Sequence, residues 1–292
     1  MRAIMIRSIA LSITAVALVA GCQQEKPQWS GKSGSTSAER GASSGAPAGD
    51  VEARLARVEK KLDKITGFLK QAVRPELDTK PTYAVPVDAN DPVIGPKDAK
   101  VTIVEAYEFL CPYCNMVAPT MEKILETYPN DVRIVPKYLV IHGEPAVPAG
   151  LAMCAAGKQG KAKEMQKALW GSMWPSPQQP DRDKGSADAV LALAGSLGLD
   201  GAKFKADMDG PECQQWLSKS AETLQQFGTS GTPSFYVNGR FVGGQNFDAF
   251  KRMIDEEIKK ADASGVKPAD YYDKVIIGKG EQQAKMISPF DD

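Results

Sequence analysis

Val101-Thr102-Ile103-Val104-Glu105-Ala106-Tyr107-Glu108-Phe109-Leu110-Cys111-Pro112-Tyr113-Cys114 is the stretch on which the rest of the chain turns. The apolar, β-branched run reads as a strand, and it delivers two thiols three positions apart to what reads as the start of a helix. If the helix begins at Cys111, its sulfur faces the unpaired N–H groups of the first turn, and Cys114 lies one turn on, close enough to bridge. Pro112 suits a first helical turn, where the missing donor is not needed and φ is already helical. A thiolate whose pKa falls from about 8.5 to roughly 5 has gained about 5 kcal/mol, whereas a helix dipole supplies about 0.3–2 kcal/mol. Direct hydrogen bonds to sulfur must therefore share the stabilisation. The pattern implies dithiol–disulfide chemistry whose direction is set by the surroundings of Cys111.

A lone Cys-x-x-Cys can also be half of a zinc site, but zinc takes four ligands from a second close pair or from histidines. The chain has one histidine, His142, which reads as a turn residue before Gly143-Glu144-Pro145, and its other cysteines, Cys22, Cys154 and Cys213, are widely spaced. No metal and no dissociable cofactor is expected.

Far downstream, Gly228-Thr229-Ser230-Gly231-Thr232-Pro233-Ser234-Phe235-Tyr236-Val237-Asn238-Gly239-Arg240-Phe241-Val242-Gly243-Gly244 reads as a loop, a strand, an Asn-Gly turn and a second strand. Together with the dithiol this resembles the thioredoxin fold, and within it the DsbA-like thiol-disulfide oxidoreductases. The resemblance implies an α/β thioredoxin fold with an inserted helical domain. It makes Cys111 the attacking thiolate, Cys114 the resolving thiol and Thr232-Pro233 an X–cis-Pro step, with Pro112, Tyr113, Thr232 and Pro233 meeting the substrate. In the family, the backbone at the Thr232 position pairs with an extended client segment. The chain carries Tyr113 where the family's best-known oxidant has histidine, which leaves oxidising strength open.

Alternation along the first strand places Val101, Ile103, Glu105, Tyr107 and Phe109 on one face, where Glu105 is the only charged residue. A desolvated carboxylate there has a raised pKa and is suited to exchange a proton with Cys114. The family also carries an acid at this offset. Lys137, in the strand-like run 132–141, is a possible charge partner, although Pro136 disturbs the middle of that strand.

Arg2 and Arg7 precede an uncharged stretch from Ser8 to Ala20, then Val19-Ala20-Gly21-Cys22, so residues 1–21 read as a secretory signal too short to span a bilayer comfortably. Val-Ala-Gly-Cys resembles a bacterial lipobox, implying lipidation of Cys22, and Gln23 resembles an outer-membrane sorting signal. Residues 22–50, rich in Ser, Gly, Ala and Pro, read as a flexible tether of roughly 30 Å. Over 51–74, Val51, Leu55, Val58, Leu62, Ile65 and Leu69 form a heptad seam, a short coiled-coil-like helix with leucines at a and β-branched residues at d. That pattern favours a trimer or tetramer over a dimer, although the seam could dock on its own chain instead.

With Cys22 lipidated and Cys111 and Cys114 active, Cys154 and Cys213 remain, and outside the cytoplasm an even remainder suggests a structural disulfide, two inert buried thiols being the alternative. The thioredoxin-like domain is expected over 81–261 with its helical insertion at about 144–227, where Trp170, Trp174 and Trp216 are candidate core anchors. A C-terminal extension over 262–292 has no assigned role. The 36 basic and 36 acidic residues balance, which argues against electrostatic nucleic-acid binding. The resulting expectation is a periplasmic, lipid-anchored enzyme that forms or rearranges disulfides in secreted cysteine-containing clients, with a membrane redox partner. An isomerase or reductase kept reduced by that partner, and a non-enzymatic chaperone-like lipoprotein, are the alternatives.

Overall fold

The structure, a computed structural model, describes residues 48–243 and 246–288, so the signal segment, Cys22 and most of the tether lie outside the described residues. The first described element is α1 (Ala48–Ala72), a helix that takes in the last three residues of the expected tether. The chain divides into two compact units, up to Leu62 and from Asp63 onward. Every heptad residue of α1 is solvent-exposed, Val51, Leu55, Val58, Leu62, Ile65 and Leu69 by 39% to 56%.

In the second unit β1 (Glu76–Leu77) leads to β2 (Val101–Tyr107), α2 (Pro112–Thr127) and β3 (Val132–Tyr138). The helical insertion follows as α3 (Val147–Lys158), α4 (Ala162–Met173), α5 (Ala187–Ser196), α6 (Gly201–Asp209) and α7 (Pro211–Gln226). The chain then returns through the hairpin β4 (Ser234–Val237) and β5 (Arg240–Gly243) to α8 (Phe247–Ala263). After it come α9 (Pro268–Tyr271), a π-helical turn Tyr272–Ile277, and β6 (Met286–Ile287), which pairs antiparallel with β1.

The main sheet has the order β3-β2-β4-β5. β2 runs parallel to β3 and antiparallel to β4, which is the thioredoxin arrangement: a β–α–β crossover followed by a returning hairpin. β2 is central and buried along its whole length. β3 is an edge strand, so Pro136 in its middle is tolerated although it removes a donor. The Asn-Gly signal holds: Asn238 and Gly239 both have positive φ, as a tight hairpin requires. Asn238 also pins the start of β2, its Oδ1 accepting from Thr102 N at 2.8 Å and its Nδ2 donating to the Lys100 carbonyl at 3.1 Å.

One core joins the front of the sheet, α2 and α8 to the insertion, where Trp174 and Trp216 are buried and Trp170 packs at the edge. At Gly150 a Cβ would stand 2.6 Å from the Tyr138 ring, so α3 can lie against β3 only with glycine there. The Cys154–Cys213 disulfide, with Cα atoms 5.6 Å apart, ties α3 to α7. The tail builds a second core: Tyr271, Tyr272 and Ile276 pack with Tyr83, Val85, Val104, Val135, Phe227 and Tyr236 on the other face of the sheet.

Candidate active site

Four hydrogen bonds fix the junction between β2 and α2. Phe109 N donates to the Tyr138 hydroxyl at 3.2 Å, and the Phe109 carbonyl accepts from Trp174 Nε1 at 2.8 Å. Cys111 N donates to the Glu108 carbonyl at 3.2 Å, and Tyr138 in turn donates to the Ala146 carbonyl at 2.9 Å. The insertion therefore holds the turn that presents the thiols. Cys111 sits at the N-cap in extended conformation and α2 begins at Pro112, one residue later than the sequence suggests.

Both sulfurs are free and buried. Cys111 is 2% exposed, while Tyr113 and Met116, close by in the chain, are 67% and 69% exposed. Its ionisation is lowered from 9.0 to about 6, first by the hydrogen bond from the Cys114 thiol, then by the Thr232 side chain and the N–H groups of Cys114 and Tyr113, with burial opposing. The Cys114 thiol is pushed far in the other direction, by burial and by its hydrogen bond to Cys111. One sulfur is thus the anion at neutral pH and the other the proton store.

The Thr232-Pro233 peptide is cis, and the Thr232 carbonyl lies 3.4 Å from Cys111 Sγ. Thr232 Oγ1 is buried and has no well-aligned partner among the described residues, which leaves its hydroxyl rotor free to turn toward the sulfurs. The cis Thr232-Pro233 step therefore lies beside Cys111, with Pro112 and Tyr113 following it in the chain.

Glu105 is 3% exposed and faces the dithiol side of β2, flanked in register by Pro136 and Phe235. Its Oε2 has no hydrogen-bond partner among the described residues. Burial raises its ionisation from 4.5 to about 8. Lys137 is not its charge partner. In the parallel register Lys137 stands opposite Ala106, so it emerges on the other face of the sheet. There its buried Nζ pairs with Asp91 Oδ2 at 2.7 Å, while Asp91 Oδ1 accepts from Trp216 Nε1 at 3.0 Å.

Two residues of this site escape sequence reasoning. Tyr107, two positions beyond Glu105 on the same face, has a buried hydroxyl without a partner among the described residues, within electrostatic reach of both Glu105 and Cys114. Glu108 is wholly buried; its Oε1 accepts from the N–H groups of Ile141 at 2.8 Å and His142 at 2.9 Å, and its Oε2 pairs with His142 Nδ1. His142 is accordingly more than a local turn residue: it fastens the segment after β3 to the cysteine turn. A second carboxylate three residues before Cys111 was the available signal. Among the described residues no cluster of histidine, cysteine and carboxylate side chains could hold a metal.

Comparison with known proteins gives a consistent result. Residues 88–256 match the profile of the family described as Thioredoxin. The chain is similar to a probable disulfide bond formation protein D of Bacillus cereus, 26% identical over 172 residues, covering 57% of this chain and 78% of the relative. It is also similar to a sodium/proton antiporter NhaA 1 of Salinispora arenicola, 32% identical over 178 residues, or 58% of this chain. The chain spans only 25% of that antiporter's length. Among the described residues no helix is long and apolar enough to cross a membrane. Of solved structures, a thioredoxin-like oxidoreductase from Silicibacter pomeroyi DSS-3 superposes with a TM-score of 0.51 at 31% identity, covering 59% of this chain and 94% of that one.

Proposed function

We propose, from the premise that this chain belongs to the thioredoxin family, that it is a DsbA-like thiol-disulfide oxidoreductase acting on cysteine-containing client proteins outside the cytoplasm. The observation that carries the reading is the unequal pair: Cys111 ionised near neutral pH beside a Cys114 held protonated.

In the oxidising direction a client thiolate attacks Cys111 Sγ of the Cys111–Cys114 disulfide, forming a client–Cys111 disulfide and releasing Cys114 as a thiolate. Cys114 takes up a proton, for which Glu105, still protonated at neutral pH, is the buried donor. A second client thiolate then attacks the client sulfur, closing the client disulfide and releasing Cys111 as the stabilised thiolate. Two electrons pass from client to enzyme. In the reverse direction the Cys111 thiolate attacks a client disulfide and releases one client thiolate; Cys114, giving its proton to Glu105 in the fraction of molecules where that carboxyl is ionised, then attacks Cys111 Sγ and expels the second client thiolate. The Thr232 backbone beside Cys111 pairs with the extended client segment, while Tyr113 and Pro112 contact its side chains.

Lipidation of Cys22 would hold the enzyme at a membrane surface, the outer membrane by the residue that follows it, and a membrane redox partner would reset the thiols. The exposed α1 seam supports a second reading in which three or four chains associate and work as an isomerase or reductase. The reduction potential of the Cys111–Cys114 pair separates the two, a high value favouring an oxidase and one near that of thioredoxin the alternative. The test of the chemistry itself is trapping. A Cys114→Ala variant should accumulate client adducts through Cys111 that a reducing agent releases; no adducts, or the same adducts with Cys111→Ala, would refute it.

A further inference from the structure

A cavity of about 310 Å³ opens between α2 and α4. Its walls are apolar, with Pro119, Met121 and Leu125 from α2 facing Trp170 from α4. Glu105 forms its floor, with Oε2 buried and unpartnered among the described residues. Lysines stand at the mouth: Lys167 is tied to Glu122, and Lys163 is exposed and enters no ion pair among the described residues. A pocket of this size with apolar walls, one orphaned polar group at its floor and spare positive charge at its rim has the anatomy of a small-molecule site.

We propose that this cavity binds a small aromatic carboxylate bearing a second hydrogen-bonding group, with the ring against Trp170, the carboxylate at Lys163 and the second group on the Glu105 carboxyl. Charge complementarity selects the anion at the rim. The floor selects a neutral partner, because a buried carboxyl that keeps its proton can both donate and accept but cannot tolerate a second anion beside it. The titratable groups that line the cavity with Glu105 are Glu122 from α2 and Lys163 and Lys167 from α4, and Tyr107 on its own strand lies within electrostatic reach of it. An occupant would touch the group to which the functional reading gives the Cys114 proton; that coupling rests on the reading, whereas binding itself does not.

The test is calorimetric titration of the full chain, oxidised and reduced, with para-hydroxybenzoate. Saturable binding of one molecule per chain is expected, weakening about tenfold in Lys163→Gln. Affinity should fall as pH rises through about 8, where Glu105 ionises, and stay flat with pH in Glu105→Gln. Gly171 lines the cavity, and a Cβ there meets nothing within 4 Å, so Gly171→Phe should fill the space without disturbing α4 and abolish binding, while Gly171→Ala should retain it. No saturable binding, or binding unchanged in Gly171→Phe, overturns the proposal. Neither result bears on client trapping at Cys111.

Discussion

At Cys111 and Glu105 the surroundings move two ionisable groups in opposite directions, hydrogen bonds lowering the first against burial and burial raising the second, and both consequences can be measured. Cys111 has a folded ionisation lowered from 9.0 to about 6, so the reduced protein is stabilised fully above about pH 9, progressively less as pH falls, and not at all below about 6. At pH 7 this amounts to about 1.4 kcal/mol, or about 30 mV toward a more oxidising pair. Thr232→Val removes a hydroxyl next to this anion and should raise the Cys111 ionisation by about one pH unit, read by thiolate absorbance. Glu105 behaves inversely. Its folded ionisation is raised from 4.5 to about 8, so the native state keeps a proton that the unfolded chain releases, and stability falls as pH rises between those values. Glu105→Gln should therefore be more stable than the parent by up to about 3 kcal/mol at pH 7 and gain little near pH 4, as denaturant unfolding across pH would show. A carboxylate retained at that cost is consistent with a role in proton exchange. The Glu108–His142 pair fixes the cysteine turn instead, and Glu108→Ala would leave the Ile141 and His142 N–H groups without their acceptor, costing about 1–3 kcal/mol.

The elements that carry this site were read from sequence to different depths. β2, α2 and the β4–β5 hairpin were legible because each has a local signature: continuous apolar character, a proline at the first helical position, and an Asn-Gly turn. Lys137, a possible charge partner of Glu105 by sequence, is not one because register, which sequence does not reveal, places it on the opposite face of the sheet, bonded to Asp91. The pairing of Cys154 with Cys213 could be suspected from an even count, but it is the approach of α3 to α7 that closes it. Linking residues 59 apart restricts the unfolded chain by up to about 4 kcal/mol, so the double variant Cys154→Ala/Cys213→Ala should lower the melting temperature while leaving Cys111 reactivity intact. For α1, the exposed seam predicts that Leu55→Asp with Leu62→Asp yields a monomer in sedimentation, where the parent chain sediments as an oligomer.

Across the whole molecule the thioredoxin scaffold was legible from two short motifs more than a hundred residues apart, because each holds its own local geometry and the fold brings them together. What stayed hidden depends on long-range packing. The tail after α8 carried no motif, yet Tyr271, Tyr272 and Ile276 complete the second core, and Tyr272 donates to the Val85 carbonyl at 2.7 Å. The insertion likewise serves the site from a distance, since Trp174 holds the Phe109 carbonyl just before the dithiol. The proposed thiol-disulfide exchange depends on the sulfur at the mouth of α2 being acidic while its neighbour is not. Titrating the reduced full-length chain by thiolate absorbance, with Cys111→Ala as the blank, tests this most directly. In the difference from that blank a single ionisation near pH 6 is the predicted result; a difference step near that of free cysteine, or two steps, would contradict it.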